Sequence, residues 1–418
     1  MAQSGENSSD ITESEPKAVT NDGLQDEPSR SEKVKKFLLK WHLPMMLVTG
    51  LLIGYLFPPP GEFLGEADLG GICFSNLDIC VYGSVSSLCI TFIFVMSGMK
   101  LKTAEIKRAL RTWKPALFGF VSILFITPCV SLVIVRVNYS IPEFAAGLAL
   151  FFAQATTLSS GPIITGQAKG NIALALLLTV STNIIGVFTM PLFVSSALDY
   201  YTQENFVSND TTSDGDLSIS VDPVPIIIQL VFVILIPLAF GKLLRNLQSV
   251  QSFTKAYGKP MKLLSSFLLT VIVWMKVSSS AEDLNSLSFL SIFVCFVSGI
   301  IVHIIYLLFN YSVCSYAMHM RQAEKRAVVI VASQKTLPVA ITVLDILPSN
   351  VLGSPGLVAV PIIIAHFVQI VIDAFIAASW AARPLENDEE GSKIVEENSS
   401  SNGEVSRDEE TPNAVSES

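Results

Sequence analysis

The stretch that decides the fold runs from Gln334 to Thr342 and reads QKTLPVAIT. It interrupts an apolar segment, 327–348, with a lysine and a proline. A second interruption reads TLSSGPIIT (157–165) and lies in the apolar segment 144–166. Proline removes a backbone donor and clashes with the preceding turn, so both segments should be broken helices. In lipid, such breaks persist only where neighbouring protein or cavity water satisfies the freed backbone groups.

Composition indicates a membrane protein. Hydrophobic residues make up 50% of the 418 positions and charged residues only 15%, against about 25% charged in a soluble domain. A helix of about 20 apolar residues spans the hydrocarbon layer, in which open strands cannot satisfy their backbone. We therefore predict an all-α membrane protein and exclude a soluble fold. The ten predicted spans are approximately 41–57, 82–99, 115–136, 144–166, 171–196, 223–241, 263–280, 288–310, 327–348 and 357–380.

The acidity of the chain lies in its two ends. Residues 1–29 hold seven acidic side chains against one Lys, and residues 384–418 hold eleven against two basic ones. Segments this polar cannot bury a core. We predict disordered cytoplasmic tails at 1–34 and 383–418 around one ten-helix domain at 35–382, and leave a regulatory role of the tails open. The N-terminal tail resembles neither a signal nor a transit peptide, which favours the plasma membrane or a secretory-pathway membrane over a plastid envelope.

Positive charge alternates across the predicted spans. Three loops, at 58–81, 198–222 and 349–356, contain no Lys or Arg. The opposite loops are rich in them, at 30–40, 100–114, 242–262 and 321–326. Because an excess of Lys and Arg marks the cytoplasmic side, both termini are predicted to be cytoplasmic.

Ten spans with both ends on one side divide into two sets of five with opposite orientation. We predict two inverted five-helix repeats, at about 41–196 and 223–380, whose fourth and ninth helices carry the two interruptions. Inverted repeats with matched broken helices are a recurring transporter architecture, in which substrate binds near the midplane. The sequence therefore predicts a secondary transporter.

The substrate or ion site should lie at the two interruptions. Lys335 stands near mid-membrane, where a charge costs about 2.5–3.5 kcal/mol by insertion scales. It would act as a fixed or titratable cation, in a coupling-ion position or facing an anionic substrate; a tolerated buried lysine is the alternative. For the hydroxyl and small residues, close helix packing is the alternative. The candidates at the interruptions are Ser159, Ser160, Gly161, Pro162, Thr165, Gln334, Lys335 and Thr336.

The fifth span adds Thr179 and Asn183, which share one helical face. They could supply oxygen ligands to an alkali cation or make interhelical hydrogen bonds. Asp345 and Asp373 are expected toward helix ends, where solvent relieves their charge. His303 and His366 are expected as packed, neutral side chains.

The sequence holds no motif of an enzyme, no metal-ligand pattern and no feature that requires a cofactor. Cys73 and Cys80 share one predicted outer loop and could form a disulfide or remain two thiols. Among the N-x-[ST] sequons, Asn209 in the long outer loop is the one placed to carry a glycan.

Several stretches resemble the bile acid:sodium symporter family. They are SGMKLKT (97–103), TLSSG (157–161), GNIALA (170–175), SQKTL (333–337) and VPII (360–363). The likeness covers about 35–382 and is greatest to a divergent branch with vertebrate, fungal and plant members. The resemblance implies ten helices in panel and core domains, crossed broken helices, and alternating access coupled to a cation for organic anions.

The sodium ligands known in the family are largely replaced. Ile330 stands where the family has a sodium-binding Glu, and Ile123 where it has a Gln. Gly161-Pro162 replaces Ser-Asn, and Ala175 replaces a companion Ser, while Thr179 matches. These departures lead to the hypothesis that Lys335 substitutes for the bound cation, which would leave transport uncoupled or linked to protons.

The prediction is a membrane transporter for a small organic anion, with Na+ or H+ as possible coupling ion. Its partners are the substrate and lipid, not nucleic acid; a homodimer is left open. The alternative is a non-transporting membrane protein that regulates ion flux in calcium homeostasis, a role associated with that branch.

Overall fold

The computed structural model describes residues 30–74, 79–101, 112–158, 160–204, 221–285, 287–347 and 349–383. The chain divides into two units after residue 42, and the part of the first unit that is described is the beginning of helix α1, residues 30–42. The helices are α1 Arg30–Leu56, α2 Pro58–Glu66, α3 Val85–Lys100, α4 Trp113–Ile134, α5 Pro142–Phe152, α6 Ser160–Gln167, α7 Ile172–Thr202, α8 Pro223–Leu244, α9 Gln248–Ala256, α10 Gly258–Ser278, α11 Ala281–Asn285, α12 Phe289–Ala317, α13 Gln322–Ser333, α14 Leu337–Ile346, α15 Ser349–Leu352 and α16 Pro355–Ala381. Two strands, β1 Asp68–Phe74 and β2 Ile79–Ser84, form an antiparallel hairpin.

Within the described ranges, seven helical stretches are long and apolar enough to cross a membrane. They are α4, α7, α8, α10, α12, α13 with α14, and α16. An eighth candidate is the pair His42–Leu56 and Pro58–Glu66, bent by 99°. Each of the ten predicted spans overlaps a helix or a broken helix within the described residues. The observed count is lower because α3 has only 16 residues and the fourth span divides into two short helices.

The hairpin is the exception to the all-α prediction. It occupies the end of the first predicted outer loop and takes the first residues of the second predicted span. Its backbone register pairs Cys73 with Cys80. Both alternatives for these cysteines, a disulfide or two thiols, therefore stay open.

Helix α12 shows the inside-out pattern of a protein surrounded by lipid. Its outward face is apolar, with Ile301, Ile305 and Leu308 at least half exposed. Its inward face holds His303 and Asn310, both almost fully buried. A helix on the surface of a soluble protein has the opposite distribution. The pattern supports a multi-pass membrane protein.

Close helix packing near α3 depends on two glycines. A Cβ on Gly98 would lie 2.2 Å from the carbonyl oxygen of Leu238, and a Cβ on Gly241 would lie 2.1 Å from that of Val95. Only hydrogen fits at these distances, so α3 and α8 approach backbone to backbone. Such small-residue contacts are the usual means of helix association in membranes.

Candidate functional site: a crossing of two broken helices

Both predicted interruptions are present as breaks between helices. The first separates α5 from α6, and the second separates α13 from α14. Pro162 and Pro338 lie in the first turns of α6 and α14. Backbone N–H groups in a first turn have no partner within the helix, so proline costs little there. The prolines therefore begin new helices, and the prediction of two broken helices is confirmed.

The two breaks satisfy each other's backbone groups. Thr336 N donates to the carbonyl of Ala155 at 3.0 Å. Thr156 Oγ1 donates to the carbonyl of Val331 at 2.6 Å. Helix ends leave such groups without intrahelical partners, and lipid supplies none. The crossing is therefore a single structural unit.

Lys335 lies inside this unit with a side chain only 1% exposed. Its ammonium donates to Thr127 Oγ1 and to the carbonyl of Gln154, both at 2.8 Å. It also lies 5.6 Å from the ring centroid of Tyr306. The Gln154 carbonyl follows the C-terminal end of α5, where the helix dipole favours a cation. Two oxygens and an aromatic face thus hold the charge that the sequence placed at mid-membrane.

The widened turn of α4 shapes this pocket. Residues Ser122–Ile126 form a π-helical turn, and Thr127 N bonds the carbonyl of Ser122 at 2.9 Å. Pro128 follows and brings no N–H. The carbonyl of Thr127 accepts the Tyr306 hydroxyl at 2.7 Å. The local backbone thereby fixes both Thr127 Oγ1 and the ring beneath Lys335.

Gln369 on α16 clamps the backbone of Lys335. Its Oε1 accepts from Lys335 N at 2.9 Å, and its Nε2 donates to Lys335 O at 2.6 Å. The same Nε2 lies 2.9 Å from His366 Nδ1. Because Gln369 is 1% exposed, water does not compete for these bonds.

One turn further along α16, a buried carboxylate meets the neighbouring residue of the break. Gln334 Nε2 donates to Asp373 Oδ2 at 2.6 Å, and Asp373 Oδ1 lies 2.9 Å from His303 Nε2. The expectation that solvent relieves the charge of Asp373 is wrong, because its side chain is fully buried. His303 is packed as expected, and its ring in addition contacts a carboxylate. The partner on α16 is 70 positions away, and spacing along one chain gave no signal of it.

The other end of Gln334 meets the break between α5 and α6. Thr157 Oγ1 lies 2.8 Å from Gln334 Oε1, and Ser160 Oγ lies 3.4 Å from it. Gly161 N donates to Thr157 Oγ1 at 3.1 Å, so Thr157 caps α6. Ser160, Gly161, Gln334 and Thr336 are thus brought together as predicted. Ser159 lies outside the described residues.

Helix α7 packs against α6 and α13 at the crossing. Asn183 Nδ2 donates to the carbonyls of Thr156 and Thr179, at 2.8 and 2.7 Å. Thr179 Cγ2 lies 3.4 Å from where a Cβ on Gly161 would be. The shared face of Thr179 and Asn183 is confirmed, and the interhelical hydrogen bond was one of its two interpretations. Thr165 lies buried on α6, and Asn209 lies outside the described residues.

A cavity of about 30 Å³ opens beside the crossing. Its apolar wall comes from Leu43, Ile93, Phe94 and Leu269, on α1, α3 and α10. Its polar wall comes from Thr157, Ser160, Thr336 and His366. This cavity therefore joins an apolar surface to the N-terminal ends of α6 and α14.

Comparison with known proteins identifies the family of the chain. The family described as SBF-like CPA transporters matches residues 42–382. The chain belongs to this family. The expected resemblance to bile acid:sodium symporters is thereby confirmed, and so is the description as a membrane transporter.

Individual relatives fall in the expected branch. A probable sodium/metabolite cotransporter BASS4, chloroplastic, of Arabidopsis thaliana is 32% identical over 351 residues, which cover 82% of this chain and 72% of the relative. Its counterpart in Oryza sativa subsp. indica is 30% identical over 355 residues, 82% of this chain and 75% of the relative. The sodium/bile acid cotransporter 7 of Xenopus tropicalis is 24% identical over 308 residues, 71% and 83% of the two chains.

Proposed function

We propose that this chain is a secondary carrier that moves a small organic anion across a membrane by alternating access. The observation that carries the proposal is the cavity at the crossing, into which two half-helices direct their N-terminal ends. A helix N-terminus carries about half a positive charge and exposed N–H groups, which favour anions. Lys335 adds a full positive charge within the same unit. The apolar wall suits the carbon skeleton of an amphipathic anion.

The size of the cavity supports a moving carrier. About 30 Å³ holds a water molecule but no organic anion. Substrate can enter only if α1, α3 and α10 separate from the crossing. Rocking of one helix group against another around a fixed site is how inverted-repeat carriers give access to each side in turn. We therefore interpret this conformation as an occluded one.

The proposal includes a transmembrane arrangement with ten crossings. Ten crossings, as two inverted five-helix repeats with both tails in the cytoplasm, agree with the matched breaks and with the Lys and Arg distribution. The membrane is the plasma membrane or one of the secretory pathway. A glycosidase shift at Asn209 tests this against the plastid envelope, which the names of the plant relatives favour.

We propose that Lys335 takes the place of a bound cation. The oxygens that its ammonium contacts are a hydroxyl and a carbonyl, the kinds of ligand that alkali cations use. Ile330 and Ile123, at the positions of two family sodium ligands, are fully buried and have no oxygen in their side chains. The relatives are named as sodium cotransporters. In this chain the covalently attached ammonium group of Lys335 would occupy the cation position, and transport would be uncoupled or coupled to protons.

A thermal stabilisation screen of the purified full-length protein tests the function. The probes are bile acids, sterol sulfates, short carboxylates and simple cations. We expect an organic anion to raise the melting temperature of the wild type and to lose this effect in Lys335→Ala. Lys276→Ala is the matched control, because Lys276 pairs with Asp345 instead of the crossing. Stabilisation by none of the anions, or equal stabilisation in Lys335→Ala, would refute the proposal.

A further inference from the structure

We infer that His303 and Asp373 form a proton-binding site that controls, through Gln334, which hydrogen bonds the crossing offers to a ligand. The inference rests on the proposed carrier function and names the coupling ion. The two side chains, an imidazole and a carboxylate, are buried in contact with each other, which the sequence did not reveal.

The pair is isolated from solvent. The side chains of His303 and Asp373 are 3% and 0% exposed, and their facing atoms lie 2.9 Å apart. Burial of a carboxylate is expensive unless it is hydrogen-bonded. Asp373 has two partners, an imidazole on one oxygen and the Gln334 amide on the other. A group held in this way exchanges protons only when a conformational change admits water.

Other titratable groups lie on the elements packed against the pair. They include Tyr306 on α12, His366 on α16, Lys335 at its break, Glu143 on α5, Asp345 on α14, Lys276 on α10, Glu282 and Asp283 on α11, and Glu324, Lys325 and Arg326 on α13. Arg326 is held at the far end of α13 by the carbonyl of Ala168, and Asp345 pairs with Lys276. At the crossing itself, Lys335 is therefore the fixed charge that an ionised Asp373 balances.

The side chain of Gln334 links protonation of Asp373 to the hydrogen bonds of the hydroxyl groups at the cavity. An ionised carboxylate only accepts hydrogen bonds, so the Gln334 amide must turn Nε2 toward Asp373 and Oε1 toward Thr157 and Ser160. In this state Thr157 donates its hydrogen to Oε1, and Ser160 donates to Thr157 Oγ1 at 2.6 Å. A proton on Asp373 Oδ2 donates to Oε1 instead, which turns the amide over and directs Nε2 at Thr157. Thr157 then accepts from the amide and donates to Ser160, which lies 2.6 Å away, and the hydrogen of Ser160 turns to the cavity.

The step balances simply. One proton leaves water and forms one O–H bond on Asp373, while His303 Nε2–H still donates to Oδ1; no electrons move. The protonated form offers the Ser160 hydroxyl as a donor to an anion, and in the ionised form that hydrogen is bonded to Thr157. Proton and anion therefore strengthen each other's binding, and this coupling is reciprocal. A carrier that takes both together moves one negative charge less.

Infrared difference spectroscopy tests the site without any substrate. Full-length protein in sodium-free nanodiscs is compared across a pH series, in light and heavy water. We expect the carbonyl band of a buried protonated carboxyl in the wild type and its loss in Asp373→Asn. Asp345→Asn, a buried carboxylate elsewhere, should retain the band. His303→Gln places an amide nitrogen near the lost Nε2 and should shift the pH at which the band appears.

A band that is missing from the wild type, or that survives in Asp373→Asn, would overturn the inference. The Asn side chain can still bond Gln334 and His303, and a cooperative melting curve confirms that the variant folds. If Asp373→Asn fails to fold, the shift in His303→Gln decides: no shift refutes the pair.

Transport then separates this inference from the carrier proposal. Sodium-free vesicles that contain a pH-sensitive dye receive an anion that stabilised the protein in the screen. Proton entry with the anion in the wild type, and anion entry without protons in Asp373→Asn, are expected. Anion entry without protons in the wild type refutes the proton site and leaves the carrier intact. If the infrared band is present but the anion does not enter, the proton site stands and the carrier proposal is refuted.

Discussion

The ammonium of Lys335 lies 2.8 Å from the backbone carbonyl of Gln154. This contact joins a side chain from the break of one helix to the backbone at the break of the other. The carbonyl is at the negative end of α5 and the ammonium is positive, so each reduces the desolvation cost of the other. The lysine is thus part of what holds the crossing together, and its removal should be visible in stability.

We expect Lys335→Ala to destabilise the protein and ammonium ions to restore part of the loss. The substitution leaves the Gln154 carbonyl and Thr127 Oγ1 without their donor, at about 1–3 kcal/mol for each buried group. It also leaves a void beside them that an ammonium or methylammonium ion can fill. Tetramethylammonium has no N–H and should not help. Melting temperatures in the three chlorides provide the measurement, and a variant that responds equally to all three salts would contradict it.

Sodium should not stabilise the wild type. A ligand present at 100 times its Kd adds about 2.7 kcal/mol to stability, so an occupied sodium site is easily seen. With Lys335 filling the cation position, melting in sodium chloride and in choline chloride should coincide. A clear sodium-specific rise in the wild type would show that Lys335 does not replace the ion.

Close packing of α3 on α8 predicts a strong effect of a single methyl group. Gly98→Ala places a Cβ against the carbonyl of Leu238, and the two backbones must separate to admit it. Overpacking of this kind costs about 1–3 kcal/mol. Gly258→Ala is the matched control, since a Cβ on Gly258 meets nothing within 4 Å. The melting temperature should fall in the first variant and stay level or rise in the second; equal curves would contradict the packing.

The two breaks were predictable from the sequence because proline interrupts a helix and lysine is costly in lipid, so the pair inside one apolar run indicates an interruption. Their meeting was predictable only through the repeat argument, and the bond between Thr336 and Ala155 now gives that meeting a geometry. Residues on other helices were missed for a physical reason. Tyr306 and Gln369 become neighbours of Lys335 only through tertiary packing, and neither stands out in an apolar helix.

The prediction that Asp373 is accessible to solvent was wrong for a different reason. Its position eight residues before the end of α16 suggested access to solvent. Burial depends on what covers a helix end, and α12 covers this one with His303. An ionisable residue within a membrane helix is better treated as a functional candidate from the start.

We expect loss of the Asn183 amide nitrogen to destabilise the protein. In Asn183→Asp the shape is unchanged, but an acceptor replaces the donor that faces the carbonyls of Thr156 and Thr179. Buried acceptors that face each other repel or force protonation of the new carboxyl, so we expect a loss of more than about 2 kcal/mol. Asn246→Asp, at an exposed position after α8, is the control. Similar melting of the two variants would show that Asn183 does not secure the break.

Thr336 lies in the wall of the cavity, at the start of α14. Thr336→Val keeps its volume and removes the hydroxyl, so a bound anion should lose one hydrogen bond. A hydrogen bond to a charged group contributes about 1.5–3 kcal/mol, which corresponds to a roughly ten- to hundredfold weaker affinity.

Thr342→Val is the matched control for this prediction. Thr342 lies on the same helix and is also buried, but its hydroxyl donates to the carbonyl of Pro338 and it is not among the residues lining the cavity. Titration of the stabilising anion by thermal shift should show the loss in Thr336→Val alone. If Thr342→Val weakens the anion equally, the effect comes from the stability of α14, and the cavity would not be the binding site.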